Sequence, residues 1–244
     1  GDVSGTRRVV LDSYDGGFYG SNAFREQHSK FFDGKLRKGE TVYYEVVGFT
    51  NTGAPIMGQC SNKKLNDKEF VKQYGETTTF SYGCSPFPEK LTLGETAANC
   101  HPAKPQSRIF VYRMTMTNED GEVVEYTPDQ MRHRCMYMGV KTVPVHWYGF
   151  IPENPGSHDD PTISAGEWVL KKAEQFYDGE EPIDPTHIRE GVVVRVINRP
   201  TFTAYKHKNF QFKVLEGIIK ETAEAPDMEE ADGLDEEDTA AETV

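Results

Sequence analysis

Residues 190–195 read Glu190-Gly-Val-Val-Val-Arg195, and a short Pro-containing link leads from them to Lys206-His-Lys208-Asn-Phe-Gln-Phe-Lys213. Taken singly, an acid beside glycine and three valines makes an ordinary buried strand, and a Lys-x-Lys pair makes a solvated edge. Together they say more. A carboxylate fixed at the mouth of a rigid strand can hold a magnesium ion. Two lysines of the same parity on the next strand point to one face, where they can clamp a phosphate.

Working outward, β-branched and aromatic runs predict strands over 41–48, 108–117, 122–126, 191–197 and 210–215. The segment 108–126 reads as a hairpin, because Asn118-Glu-Asp-Gly121 separates two β-prone runs and ends in the favoured Asp-Gly. Helices are expected over 23–32, from Pro128 behind an N-capping Thr127, and around 166–176 behind Ser164. The order is α+β. The polar, Gly- and Pro-rich stretch 50–107 reads as an elaborated surface excursion between core strands.

With 244 residues the chain is long enough for a full hydrophobic core, and no run approaches the ~18 apolar residues of a membrane helix. The four cysteines, Cys60, Cys84, Cys100 and Cys135, include no C-x-x-C pair, and no secretory signal precedes them, so a reducing, cytoplasmic setting is expected. Neither Cys100-His101 nor His133/Cys135 has structural-zinc spacing, and no zinc site is predicted. His133 and His207 read as structural or exposed. The net charge of −12 is unevenly spread: residues 221–244 hold eleven of the 39 acids and no Lys or Arg, leaving 28 acids against 27 basic residues, about −1, in residues 1–220. Phosphate binding must therefore come from local clusters rather than a global field. The segment 221–244 lacks large apolar residues and is expected to be a disordered, solubilising tail. A sharper reading makes it a nucleic-acid mimic.

In this order and spacing the motifs resemble those of the covalent nucleotidyltransferases, the family of RNA ligases, DNA ligases and messenger RNA capping enzymes, and most closely the phage-type ATP-dependent RNA ligases. EGVVVR at 190–195 resembles the fourth motif and KHK at 206–208 the fifth. Val42-Tyr-Tyr-Glu45-Val-Val-Gly48 resembles the third, and Arg108-Ile-Phe-Val-Tyr112-Arg-Met the strand that presents an aromatic ring to adenine. Gly5-Thr-Arg7-Arg8 resembles the short basic motif just after the nucleophile. The resemblance spans most of residues 1–220. It implies an antiparallel, helix-flanked fold around an ATP cleft, with ATP and magnesium as cofactors, RNA ends as partner, no membrane, a monomer, and the host cytoplasm as location. By position, Glu190 would bind the metal, Lys206 and Lys208 would hold the α-phosphate, Glu45 would contact the ribose, Tyr112 would stack on adenine and Arg7 would contact phosphate. Phe110 competes with Tyr112 for its role, and Arg8 with Arg7.

One element departs from the pattern. No Lys followed by x-Asp-Gly, x-Asn-Gly or x-His-Gly precedes Glu45, and Ser13-Tyr-Asp-Gly16 has Ser where Lys is needed and reads as a turn. Lys35 and Lys38 lie in no nucleophile-like context. The expectation is that the chain starts just downstream of the nucleophile. Two rivals stand beside the RNA ligase: a DNA ligase or guanylyltransferase relative, and a non-catalytic nucleotide- or RNA-binding pseudo-ligase. Lys35/Arg37/Lys38, Lys63/Lys64 and Lys171/Lys172 are candidate RNA-backbone contacts, and Phe202, Tyr205 and Phe210 candidate stacking rings.

Overall fold

The computed structural model describes residues 3–6, 10, 11, 14, 23–87, 104–156, 162–197, 202–217 and the backbone of 228–230. Arg7, Arg8, Ser13, Cys100, His101 and most of the acidic tail lie outside the described residues. In chain order the elements are α1 (Ala23–Lys30), β1 (Glu40–Gly48), β2 (Cys60–Ser61), a 3-10 turn (Asn62–Leu65), α2 (Lys68–Tyr74), β3 (Thr77–Thr78), β4 (Ser107–Thr117), β5 (Val123–Glu125), α3 (Pro128–Met138), β6 (Lys141–Thr142), α4 (Ala165–Glu174), β7 (Gly191–Val196), β8 (Thr203–Lys208), α5 (Phe210–Glu216) and β9 (Met228–Glu230). The protein is α+β. It divides into two compact units, one of Gly1–Cys60 with Thr77–Val143, the other of Ser61–Glu76 with Pro144–Val244. Among the described residues no helix is long and apolar enough to cross a membrane.

The first unit is built on a sheet of order β1-β4-β5, with β6 also pairing β4. The β1/β4 and β4/β5 ladders are antiparallel, but β6 runs parallel to β4, so the sheet is mixed rather than wholly antiparallel as expected. The hairpin turn forms as read: Asn118 N–H donates to the Glu122 carbonyl at 3.0 Å, and Gly121 N–H to the Asn118 carbonyl at 3.2 Å. A β-bulge shifts the register between Tyr43, opposite Arg113, and Tyr44, opposite Val111, leaving Tyr112 as the extra residue. That one residue reverses the parity of β4. Val111 before it and Met114 after it both join Val42 and Tyr44 in one core with Phe32, Met131, Cys135 and Met138.

Helix α3 closes this core because its apolar residues fall at helical spacing. Met131, Cys135 and Met138 are buried, while His133 between them is exposed. Its start is fixed by a capping box in which Thr127 accepts from Gln130 N–H and Gln130 from Thr127 N–H, and Gly139 ends it in the left-handed region. Each fully buried side chain of this size stabilises the fold by about 1.5–3 kcal/mol relative to exposure. Arg134, on the same helix, is also buried, and it is satisfied by Glu40 at the start of β1.

In the second unit β7, β8 and β9 form an antiparallel sheet. One expectation is corrected here. Residues 210–215, expected as a strand, are the helix α5: the Asn209 side chain accepts from Phe212 N–H, and Gly217 closes the other end in the left-handed region. The run is apolar enough to be buried as either element, with Phe212, Val214 and Leu215 all in the core, and the caps decide between them. Residues 228–230, within the segment expected to be a disordered tail, form β9 and pair with Tyr205, Lys206 and His207 of β8. The excursion 50–107 is also more than surface. Its Phe70 and Phe80 are buried, and residues 61–76 belong to the second unit, where Lys64 Nζ donates to the Leu215 carbonyl at 2.9 Å.

Candidate functional site

Glu190 immediately precedes β7, and its backbone carbonyl accepts from Asn209 N–H at 2.8 Å, which pins it beside the end of β8. Gly191 stands opposite Lys208, and Val193 opposite Lys206. Because side chains alternate, Lys206 and Lys208 share a face and His207 takes the other. Gly191 cannot be replaced cheaply. Its φ is +146°, and a Cβ there would lie 2.1 Å from the His207 carbonyl oxygen and 2.7 Å from the Lys208 Cα. The glycine thus lets the two strands close up at the point where Glu190 turns onto the lysine face.

The result is a cluster of four charges. Lys206 Nζ is 2.6 Å from Glu190 Oε1, Lys208 Nζ is 3.8 Å from the same oxygen, and Lys208 Nζ is 3.1 Å from Glu216 Oε2 on α5. Glu216 did not stand out in the sequence, because α5 was read as a strand and only a helical turn brings it back over Lys208. The side chains of Lys206 and Glu190 are 36% and 26% exposed. At that exposure an ion pair contributes ~0–1 kcal/mol, too little to account for gathering two ammonium groups around one carboxylate as a stabilising device. Such a face is suited to bind an anion, with the lysine charges already aimed.

The opposite face of β8 is structural. His207 is 1% exposed, its ring lies 4.6 Å from that of Tyr177, and both ring nitrogens are buried without a hydrogen-bond partner among the described residues. Burial holds its pKa below the ordinary value, with Lys213 adding in the same direction against an opposing Glu174. Lys213, the last lysine of the motif run, is buried on α5 rather than presented with Lys206 and Lys208.

Glu45 and Tyr112 belong to the first unit. Glu45 pairs with Phe110 in the β1/β4 register and is exposed, whereas Phe110 is 6% exposed and packs as core. Of the two rings considered for stacking, Tyr112 is therefore the accessible one, at 36%. The bulge carries it toward Tyr43, with ring centroids 6.4 Å apart, and the Arg113 guanidinium lies 4.6 Å from the centre of the Tyr43 ring. Arg113 is held by Glu125 through Nη2–Oε1 and Nε–Oε1 contacts of 2.5 and 3.0 Å. Tyr43 and Glu45 share one face of β1 by parity, so this side of the sheet presents two tyrosines, a guanidinium and a carboxylate. Gly48 ends the strand with φ +101°, where a Cβ would meet the Cys84 side chain at 2.6 Å.

Among the described residues no three His, Cys, Asp or Glu gather as a metal site. Magnesium does not require one, since it keeps several waters and takes one or two carboxylates together with substrate phosphates. Glu190, 26% exposed, is a single carboxylate of the kind such binding uses. Cys135 and His133 point to opposite sides of α3, and burial pushes the Cys135 thiol up to about 11. Of the basic clusters, Lys38 pairs with Glu119 at 3.1 Å, Lys63 with Glu76 at 2.9 Å, and Lys35 covers the Phe31 ring at 3.2 Å. Of the candidate stacking rings, Phe202 lies 5.2 Å from the Arg195 guanidinium and Phe210 is 36% exposed. Compared with known proteins, the chain matches no family model, no curated protein and no solved structure.

Proposed function

We propose that this protein is an ATP-dependent RNA ligase of the covalent nucleotidyltransferase type, joining a 5′-phosphate to a 3′-hydroxyl through adenylated intermediates. The observation that supports it best is the convergence of Lys206 and Lys208 on Glu190 at the mouth of β7, in the motif order Glu45, Tyr112, Glu190, Lys206/Lys208.

In the sealing step the 3′-hydroxyl oxygen attacks the adenylated 5′-phosphorus. A new P–O bond forms, the bond to AMP breaks, AMP leaves with the electron pair, and the hydroxyl proton passes to solvent. Negative charge grows on the nonbridging oxygens, and Lys206 and Lys208 are placed to receive it with ammonium groups already oriented. Glu190, their counter-anion in this structure, would turn to the metal as phosphate takes its place. Bound magnesium supplies further neutralisation of the phosphate charge. On this reading Glu45 takes the ribose, Tyr112 the adenine and Arg7 a phosphate.

Sealing of an RNA that already carries AMP on its 5′-phosphate needs no lysine nucleophile, so it tests this chain directly. Given magnesium, a pre-adenylated donor and a 3′-hydroxyl acceptor, the protein should join them, and Glu190→Ala and Lys206→Ala should each slow joining by about a hundredfold or more. Joining that is unchanged in both variants would move the site elsewhere. A second reading is nucleotide or RNA binding without chemistry. Tight binding of the adenylated RNA with no joining would select it. A preference for GTP, or for DNA ends, would select the capping-enzyme or DNA-ligase relatives.

A further inference from the structure

Residues 144–154 of the second unit are exposed without interruption, although they read Pro-Val-His-Trp-Tyr-Gly-Phe-Ile-Pro-Glu-Asn. Phe150 is 94% exposed, Val145 65%, Tyr148 53%, Ile151 45% and Trp147 42%. Scattered exposed apolar residues are normal, but five large ones within seven positions form a patch that calls for an occupant. The segment lies in neither helix nor strand.

Two of its rings, His146 and Trp147, are nevertheless held in place. The Trp147 indole covers the Gly149 backbone so closely that a Cβ on Gly149 would lie 2.7 Å from Trp147 Cζ2. Trp168 of α4 meets Trp147 edge-on at 5.6 Å, and His146 stacks on Phe176 at 5.8 Å. Between these two pairs sits the Lys172 ammonium, 5.5 Å from the centre of Trp147 and 5.8 Å from that of Phe176. The one acid within 144–156 is Glu153, and Glu167, the acid in the first turn of α4, accepts from Ser164 N–H at 2.7 Å in its helix cap.

Fixed aromatic rings presented edge to edge, with a cation beside them, are what an unpaired nucleic-acid strand requires: bases stack on the rings while a phosphate reaches the ammonium. The Lys172 ammonium beside the rings adds a cation for a backbone phosphate, which a purely apolar partner would leave unmatched. We infer that residues 145–151, with Lys172, form a single-stranded nucleic-acid platform, on which Phe150 and Tyr148 stack bases and Lys172 meets the backbone. The inference rests on the ligase reading only for the identity of that strand as the RNA adjoining the ends to be joined.

The chain's two tryptophans, Trp147 and Trp168, both sit on this platform, so its intrinsic fluorescence reports occupancy directly. The full chain, without nucleotide or magnesium, is titrated with a single-stranded RNA of about 12 nucleotides carrying a fluorescent 5′ end, and both anisotropy and tryptophan emission are followed. Binding should quench the tryptophans. Phe150→Ala and Tyr148→Ala, at exposed positions that do not support the fold, should each weaken binding by roughly 5- to 100-fold. A fully paired duplex should bind more weakly. Binding without quenching, and unaltered in both ring variants, would overturn the platform. So would self-association of the wild type that Phe150→Ala abolishes, since the patch would then be a protein interface. Failure of the ligase reading looks different: quenching and ring dependence persist, but pre-adenylated RNA is not joined.

Discussion

Each unit contains a carboxylate held by cations, and the two sets are built in opposite ways. In the first unit Glu40, with no exposed side-chain surface, accepts from Arg134 Nε and Nη2 at 2.7 Å each, from the Tyr126 hydroxyl at 3.0 Å and from the Arg37 N–H at 3.0 Å. Arg134 Nη2 donates in addition to the Lys35 carbonyl. Every lone pair has a partner, and no ligand has room to enter. In the second unit Glu190 remains partly solvated and is shared by two ammonium groups, one of which also meets Glu216. A saturated buried set holds a fold together, whereas a partly solvated set leaves its ammonium groups open to an incoming anion.

The comparison breaks most visibly if one partner of the buried set is removed. Arg134→Ala should cost about 3–5 kcal/mol, because it leaves Glu40 buried without its counter-charge. A urea midpoint unmoved by that change would refute the structural role. Glu190→Ala should do the reverse, shifting stability by less than ~1 kcal/mol while joining of pre-adenylated RNA falls by about two orders of magnitude. Loss of stability and activity together would mean that the cluster is structural after all. Gly191→Ala lies between these cases. Forcing a Cβ against the His207 carbonyl should cost on the order of 1–3 kcal/mol and also disturb the Glu190–Lys208 spacing, so both the melting temperature and the joining rate should fall.

Acidity separates the sets more finely. Burial alone would raise the pKa of Glu40, but the hydrogen bonds from Arg134, Arg37 and Tyr126 and the Arg134 charge outweigh it and hold it below its ordinary 4.5. The unfolded chain therefore binds that proton first. The associated stability is complete above pH 4.5 and is lost as pH falls through the depressed native value. Half-buried His28, pushed down to about 4 by desolvation, acts in the same direction over a higher range, from its ordinary 6.5 down to that value. Stability measured against pH should fall from about 6.5 downward, and Glu40→Gln should remove the part below 4.5 while leaving the histidine part intact. The smallest effect belongs to the tail. Deleting residues 231–244, which leaves β9 in the chain, should raise RNA affinity by about two- to fivefold at low salt and not at high salt, since screening removes its competition for the lysine strand. Affinity unchanged at low salt would leave the tail without that role.

Much of the fold was legible because it is local. The capped starts of α3 and α4, the Asp-Gly hairpin and the strand over 41–48 follow from side chains bonding their own neighbours, and the structure has them as read. The Glu190, Lys206 and Lys208 juxtaposition followed from parity on adjacent strands and the glycine between them. Three features resisted. Residues 210–215 satisfy both a strand and a buried helix pattern, so only the caps at Asn209 and Gly217 decide. The bulge at Tyr112 inserts one residue that the alternation of β4 alone does not reveal, and it determines which of Phe110 and Tyr112 is accessible. The aromatic run 144–154 is exposed although its apolar side chains would equally suit burial.

The sequence by itself therefore determined the α+β class, the order of the motifs and the pair of lysines on one strand face, since these depend on period, caps and spacing within short stretches. Only the tertiary structure decided that residues 61–76 join the second unit, that Glu216 reaches Lys208, that Arg134 is spent on Glu40, and that Trp147, Tyr148 and Phe150 stay in solvent. Those outcomes depend on which distant surfaces are left to cover one another, a property of the whole chain that no local window contains.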